Sequence, residues 1–248
     1  MRTMFRQILQ LFKGTDPLRE TLEMFASMID DGEWMYQKVL DIHGSQILPS
    51  SIEAELFARD RQINAKEREI RRRLVEYLSI SEKPDVSSCL ILMSVSKDAE
   101  RVGDYIKNMY DICLEMEGVK REVVDLDERG RALRLRCLPL FQSVRKAFMT
   151  SDRALAETTL EAAMNLSRDA EIHVWAVAAR NELSSKEAVA RALSARHVKR
   201  IARHLGNIVT AVIQPVDWMN YSDEPHPQDA EMPPKRQGID EEEEEEEE

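Results

Sequence analysis

Chain breakers are scarce in this sequence. Eight glycines and nine prolines are spread over 248 residues, and most of the prolines lie from Pro215 onward or at the starts of segments. Long breaker-free stretches exclude an all-β sandwich with frequent turns and favour helices. Cysteines are also few. Cys89, Cys113 and Cys137 are odd in number and widely spaced, with no C-x-x-C pair, which excludes a disulfide framework and a zinc ribbon. They read as buried thiols in a reducing, cytoplasmic setting. No window approaches 18 apolar residues, so no spanning helix is expected. Residues 1–13 lack the uncharged apolar core of a secretory signal.

Catalytic signatures are missing as well. There is no P-loop, no G-x-G-x-x-G and no G-x-S-x-G. No E-x-x-H lies in the helical body, which argues against a di-iron oxidase. The five histidines are scattered, with none four residues from another, and no cysteine has an evident base partner. Trp34, Trp175 and Trp218 are too dispersed for a stacking platform. The expectation is a binding protein rather than an enzyme. A metal-assisted hydrolase is the weakest alternative, because no side chain offers itself as its base.

What the sequence does contain is charge and helical periodicity. The net charge is −11, but residues 215–248 carry 14 acids against two bases, so the tail is −12 and residues 1–214 are +1. No body-wide basic face for nucleic acid exists. The spacing predicts a short amphipathic helix in residues 1–13 (Phe5, Ile8, Leu9, Phe12), with a weak membrane-surface contact as its sharper reading. Six long helices follow. They run from Asp16 to about Ile42, from a Ser50–Glu53 capping box to Ser79, and from Asp85 to Glu117. The others span Lys120–Phe148 across Pro139, Ser151 or Asp152 to Asn181, and a second capping box, Ser184–Glu187, to Gln214. Short connections make sequential helices antiparallel neighbours. The implied organisation is an N-terminal segment (1–14), two three-helix bundles (15–118 and 119–214) and a disordered acidic tail (215–248). The fold class is all-α, a tandem repeat of two up-and-down three-helix bundles.

The repeat is visible directly. At an offset of 99 residues, Arg101-Val102-Gly103 meets Arg200-Ile201-Ala202, and Ile106, Asn108 and Met109 meet Leu205, Asn207 and Ile208. Two positions invert their charge: Glu100 becomes Lys199 and Asp104 becomes Arg203. Glu100 and Asp104, four apart, share one face of the third helix. On the second helix Asp60 and Glu67 interrupt the core stripe Leu56, Ile63, Ile70, with Asn64 between them. Four carboxylates and an amide form an oxygen-rich set suited to a hard cation. The competing reading is that Lys97, Arg101 and Lys107 neutralise these acids. In the second repeat Arg191, Arg196, His197, Lys199, Arg200, Arg203 and His204 form a cluster without acids. Lys199, Arg203, Arg196 and Arg200 are candidates to bind an anion or acidic partner. Against this, Asp169, Glu171 and Glu182 could pair with them, or the acidic tail could fold back.

Asp98-Ala99-Glu100-Arg101-Val102-Gly103-Asp104 resembles the E-R-I-G-D signature of the PhoU family. Asp60-Arg61-Gln62-Ile63-Asn64-Ala65-Lys66-Glu67 is similar to that family's second-helix pattern. The resemblance covers about 16–214. It implies tandem three-helix bundles whose acidic motifs bind metal, with Glu100, Asp104 and Asp60 as ligands and Glu67 and Asn64 as further ones. Iron, manganese or magnesium would be the metal. The resemblance also implies a regulator of phosphate transport or phosphate signalling, with a transporter component or sensor kinase as partner; a homodimer is a further assembly to expect. Lys199, Arg203 and Asn165 depart from the pattern, so the second metal site is expected to be lost. A metal-binding or scaffold bundle with no phosphate role is the alternative.

Overall fold

The computed structural model describes residues 16–44, 47–116, 127–216 and 219. Six α-helices account for nearly all of them: α1 (Asp16–His43), α2 (Glu53–Ile80), α3 (Val86–Glu115), α4 (Glu128–Thr150), α5 (Arg153–Ala178) and α6 (Ser185–Ile213). No strand occurs among the described residues. The amphipathic segment 1–13, the acidic residues 220–248 and the stretch 117–126 lie outside them.

Start signals account for most of the boundaries. Asp85 accepts from the Ser88 amide at 3.1 Å and opens α3. Asp152 does the same for Leu155 in α5. Ser184 and Glu187 form a reciprocal capping box at α6. The box expected at Ser50–Glu53 does not form. Pro49 nucleates a 3₁₀ turn over Pro49–Ser51, the Ser51 hydroxyl turns back to the Leu48 carbonyl at 2.6 Å, and Ile52 caps α2 without a side-chain bond. The fourth helix begins at Glu128, and Val123 and Leu126 of its expected seam lie outside the described residues. It continues through Pro139 to Thr150.

Every pair within α1–α3 is in contact, and so is every pair within α4–α6. The two groups join along α3–α6 and α1–α4. One apolar core runs through both, from Leu18 to Met219. Across the α1–α4 contact Phe25 meets Phe148 at 4.8 Å and Tyr36 meets Phe141 at 5.5 Å. Tyr36 also donates to the Arg134 carbonyl at 2.9 Å. The contact between α3 and α6 is antiparallel and nearly two-fold. Asp98 meets His204 while Tyr105 stacks near His197 and His204. At the 99-residue offset Asp98 is equivalent to His197 and Tyr105 to His204, so the equivalent positions cross, as a two-fold axis requires.

Ser151, between α4 and α5, is the one non-glycine residue with positive φ (51°) among those described, and it is fully buried. The left-handed conformation costs an L-residue about 1 kcal/mol. Ser151→Gly is therefore expected to stabilise the chain by about 1 kcal/mol in denaturant unfolding. An unchanged or lower midpoint would show that the buried hydroxyl matters more than the backbone.

Candidate charged faces on the two bundles

The heptad pattern of α2 places Leu56, Ile63, Ile70 and Leu74 in the core and carries Asp60 and Glu67 in with them, each only 7% exposed. A carboxylate at that depth must be paired or neutralised. The facing helix α3 supplies the cations. Lys107 Nζ lies 3.1 Å from both Asp60 oxygens and 3.3 Å from Asp104 Oδ1. Lys97 Nζ is 2.6 Å from Glu100 Oε2 and 4.0 Å from Glu67 Oε1. Arg101 stands 3.8 Å from both Glu100 and Asp104. Arg71 Nη2 approaches Glu67 Oε1 to 2.5 Å, outside hydrogen-bond geometry. Burial alone would favour loss of the Lys107 proton, but Asp60 and Asp104 outweigh it and hold its pKa above the ordinary lysine value.

The acids thus form two ammonium-centred groups, Asp60–Lys107–Asp104 and Glu67–Lys97–Glu100. Between them lies Gly103, where a Cβ would come within 3.2 Å of Ile63 Cδ1. The missing side chain is what lets α2 approach α3 and brings the two rows of acids together. Asn64 is half-buried one turn from Asp60. In kind, these oxygen donors fit a hard cation. In arrangement, no three His, Cys, Asp or Glu side chains among the described residues converge as ligands of one ion would. An entering ion would have to displace Lys97 or Lys107.

The equivalent face of the second bundle is rebuilt by the charge inversion. Lys199 Nζ reaches Glu171 Oε2 of α5 at 2.5 Å, and Glu171 is held below the ordinary carboxylate range chiefly by that hydrogen bond. Asp169 instead pairs with Arg136 of α4 at 2.7 Å. His197 and His204 turn to the α3 seam and away from the basic stripe. Arg196 and Arg200 remain exposed, with Lys199 and Arg203 partly so. Close by, Trp175 is 68% exposed.

Two polar clusters, one part-buried and one buried, escaped sequence reasoning. Asp98 accepts from His204 Nδ1 at 2.8 Å and from Asn207 Nδ2 at 3.2 Å across the seam. Its signal was present, since the 99-residue offset aligns His197 and His204 with Asp98 and Tyr105. Asp127, at the start of α4, meets His173 of α5, and both are buried. No spacing marks that pair, because the partners are 46 residues apart on different helices. All three cysteines are buried, and burial pushes Cys89 to about 11 and Cys113 and Cys137 to about 12, so none is a nucleophile.

Fold and faces together define a tandem three-helix-bundle protein with one mixed acidic face and one basic face. Residues 50–113 match the family model described as PhoU domain, which spans α2 and α3. The structure is similar to the crystal structure of PhoU from Pseudomonas aeruginosa, with a TM-score of 0.69 and 18% identity, covering 79% of this chain and 95% of that one. It is equally similar to the phosphate transport system regulatory protein PhoU from Streptococcus pneumoniae, with a TM-score of 0.69 and 15% identity over 83% of this chain and 95% of that one. A search of curated protein sequences finds no significant match. The PhoU resemblance read from the motifs is therefore shown, by sequence over 50–113 and by fold over the helical body. No helix among the described residues is long and apolar enough to cross a membrane.

Proposed function

We propose that this protein regulates phosphate transport or phosphate signalling by binding a protein partner, a transporter component or a sensor kinase, and that its first bundle holds a metal ion at Glu100, Asp104 and Asp60, with Glu67 and Asn64 nearby. One observation carries the reading: the family match falls on the α2–α3 pair that bears these residues. Two buried carboxylates on α2 face two more on α3 around a glycine that keeps the helices close. The ion would fix the acids and leave a rigid face for the partner. Iron, manganese or magnesium suits oxygen donors of this kind.

A specific observation favours a second reading, a metal-free scaffold: each of the four carboxylates already has a lysine or arginine within 4.0 Å. Two measurements separate the readings. Elemental mass spectrometry of the purified protein, loaded with each metal, should find bound metal that is lost in a folded Glu100→Gln/Asp104→Asn variant. Metal in neither protein supports the scaffold. Binding to the ATPase of a phosphate importer or to a phosphate-sensing kinase, tested with purified components, should persist in the scaffold case. Its absence from both partners, with the fold intact, would sink the regulatory reading.

A further inference from the structure

The basic stripe of α6 has an occupant within the same chain. Arg196, Lys199, Arg200 and Arg203 fall at i, i+3, i+4 and i+7, a single line of cations along one helix face. Lys199 is engaged by Glu171, whereas neither Arg196 nor Arg200 is within ion-pair distance of a carboxylate among the described residues. Both are exposed, and Glu171 of α5, which pairs with Lys199, also interacts electrostatically with Arg196. Glu171 is taken by Lys199, Asp169 by Arg136, and Asp98 by His204 and Asn207. Here a row of cations is held at fixed spacing, with Arg196 and Arg200 exposed and outside ion-pair distance of any described carboxylate.

We infer that the acidic residues 240–248 dock on this stripe, with Arg196 and Arg200 as the principal contacts. Three observations support the assignment. Charge is complementary: residues 240–248 are nine consecutive acids, and no other run of that kind exists in the sequence. Connection favours it, because α6 itself leads through Gln214 into this segment. Reach allows it, since the stripe begins about 15 Å and ends about 26 Å back along α6 from Ile213, at 1.5 Å per residue. Residues 214–239 could span up to about 90 Å when extended. Joining the two in one chain makes the effective concentration of the acidic run about millimolar, enough for a contact built from several weak ion pairs. Such pairs are screened by salt over a Debye length of about 8 Å at physiological ionic strength, so the docking is salt-sensitive. This inference does not depend on the phosphate reading, because it uses only the second bundle and the tail.

The test uses the full chain with Glu248→Cys carrying a nitroxide spin label. The three native cysteines are buried and their thiols are held protonated, so labelling is selective. Amide signals of residues 196–203 should broaden at low salt and recover above about 0.5 M salt, where the Debye length has fallen to a few ångströms. Replacing Glu241 to Glu248 by glutamine, with the label moved to Gly238→Cys in both this variant and its reference, leaves the helical body untouched and should abolish the broadening. Arg196→Ser/Arg200→Ser should reduce it several-fold. Absence of broadening on α6 at low salt overturns the proposal. So does broadening that survives the glutamine replacement, or that is equally strong on unlabelled chains mixed with labelled ones, since the contact would then be apolar or between molecules.

Discussion

Replacing Asp127 by alanine is expected to lower the unfolding free energy by about 3 kcal/mol, the scale for leaving one member of a buried pair without the other. Asp127 and His173 are 4% and 1% exposed, and their contact ties the start of α4 to the second half of α5. A Cβ at neighbouring Gly130 would come within 2.9 Å of Asp127 Oδ2 and 3.3 Å of His173 Nε2, so the glycine leaves room for the pair. His173→Ala strands the carboxylate and should cost as much. The double variant should lose less than the sum, because two orphaned groups become none. Additive losses in denaturant unfolding would show that the two residues do not act as a pair. There is also a pH signature. Burial alone would raise the Asp127 pKa, but the hydrogen bond and charge of His173 outweigh it and hold the carboxyl below the ordinary range. A carboxylate depressed in the folded state contributes its full stability above the unfolded value, near pH 4, and loses it as the pH falls through the folded pKa. Wild-type stability should therefore decline below about pH 4 more steeply than that of Asp127→Ala.

Phe141→Ala is expected to cost about 4 kcal/mol by combining lost burial with a cavity that its neighbours cannot fill. For a chain of this size that lowers the melting temperature by roughly 10 °C. Phe141 is fully buried, packs on Tyr36 at 5.5 Å and would lie 3.3 Å from a Cβ at Gly32, so α1 comes close to it on two sides. The loss falls on the seam between the bundles, and the core is continuous across that seam. Far-ultraviolet circular dichroism should still show one transition. A biphasic melt would mean that the bundles unfold separately and that the shared core does not couple them.

Much of the fold was legible because helices announce themselves locally. The Asp85, Asp152 and Ser184 caps need only three or four residues of sequence, and the stripe Leu56–Ile63–Ile70 is a period that a helix must bury. The Ser50–Glu53 box failed for an equally local reason: Pro49 set up a tighter turn one residue earlier, and the pattern carried no information on which of two turns would win. At the site, the sequence revealed that Asp60 and Glu67 interrupt a core face, and the structure buries both. It could not say which cation meets which acid. Lys107 lies one turn from Asp104 yet also reaches Asp60, 47 residues away, because Gly103 lets the helices close. Likewise Asp169 was a candidate partner for α6 and went to Arg136, since its position on α5 faces α4. Pairing across helices depends on the relative rotation of whole elements, which no short motif encodes.

The crossed contacts of Asp98 with His204 and Tyr105 with His197 also bear on descent. An axis of this kind is what two identical three-helix chains would share if they associated through their third helices. In such an ancestor every substitution is made twice, so an acid on one face is an acid on the other, and neither half can specialise. Once the halves are fused into one gene, they mutate independently. Glu100 and Asp104 can then stay in one half while Lys199 and Arg203 arise in the other. Carrying both halves in one chain is what permits two faces of opposite charge on one symmetric frame, an asymmetry closed to a homodimer of the half-chain.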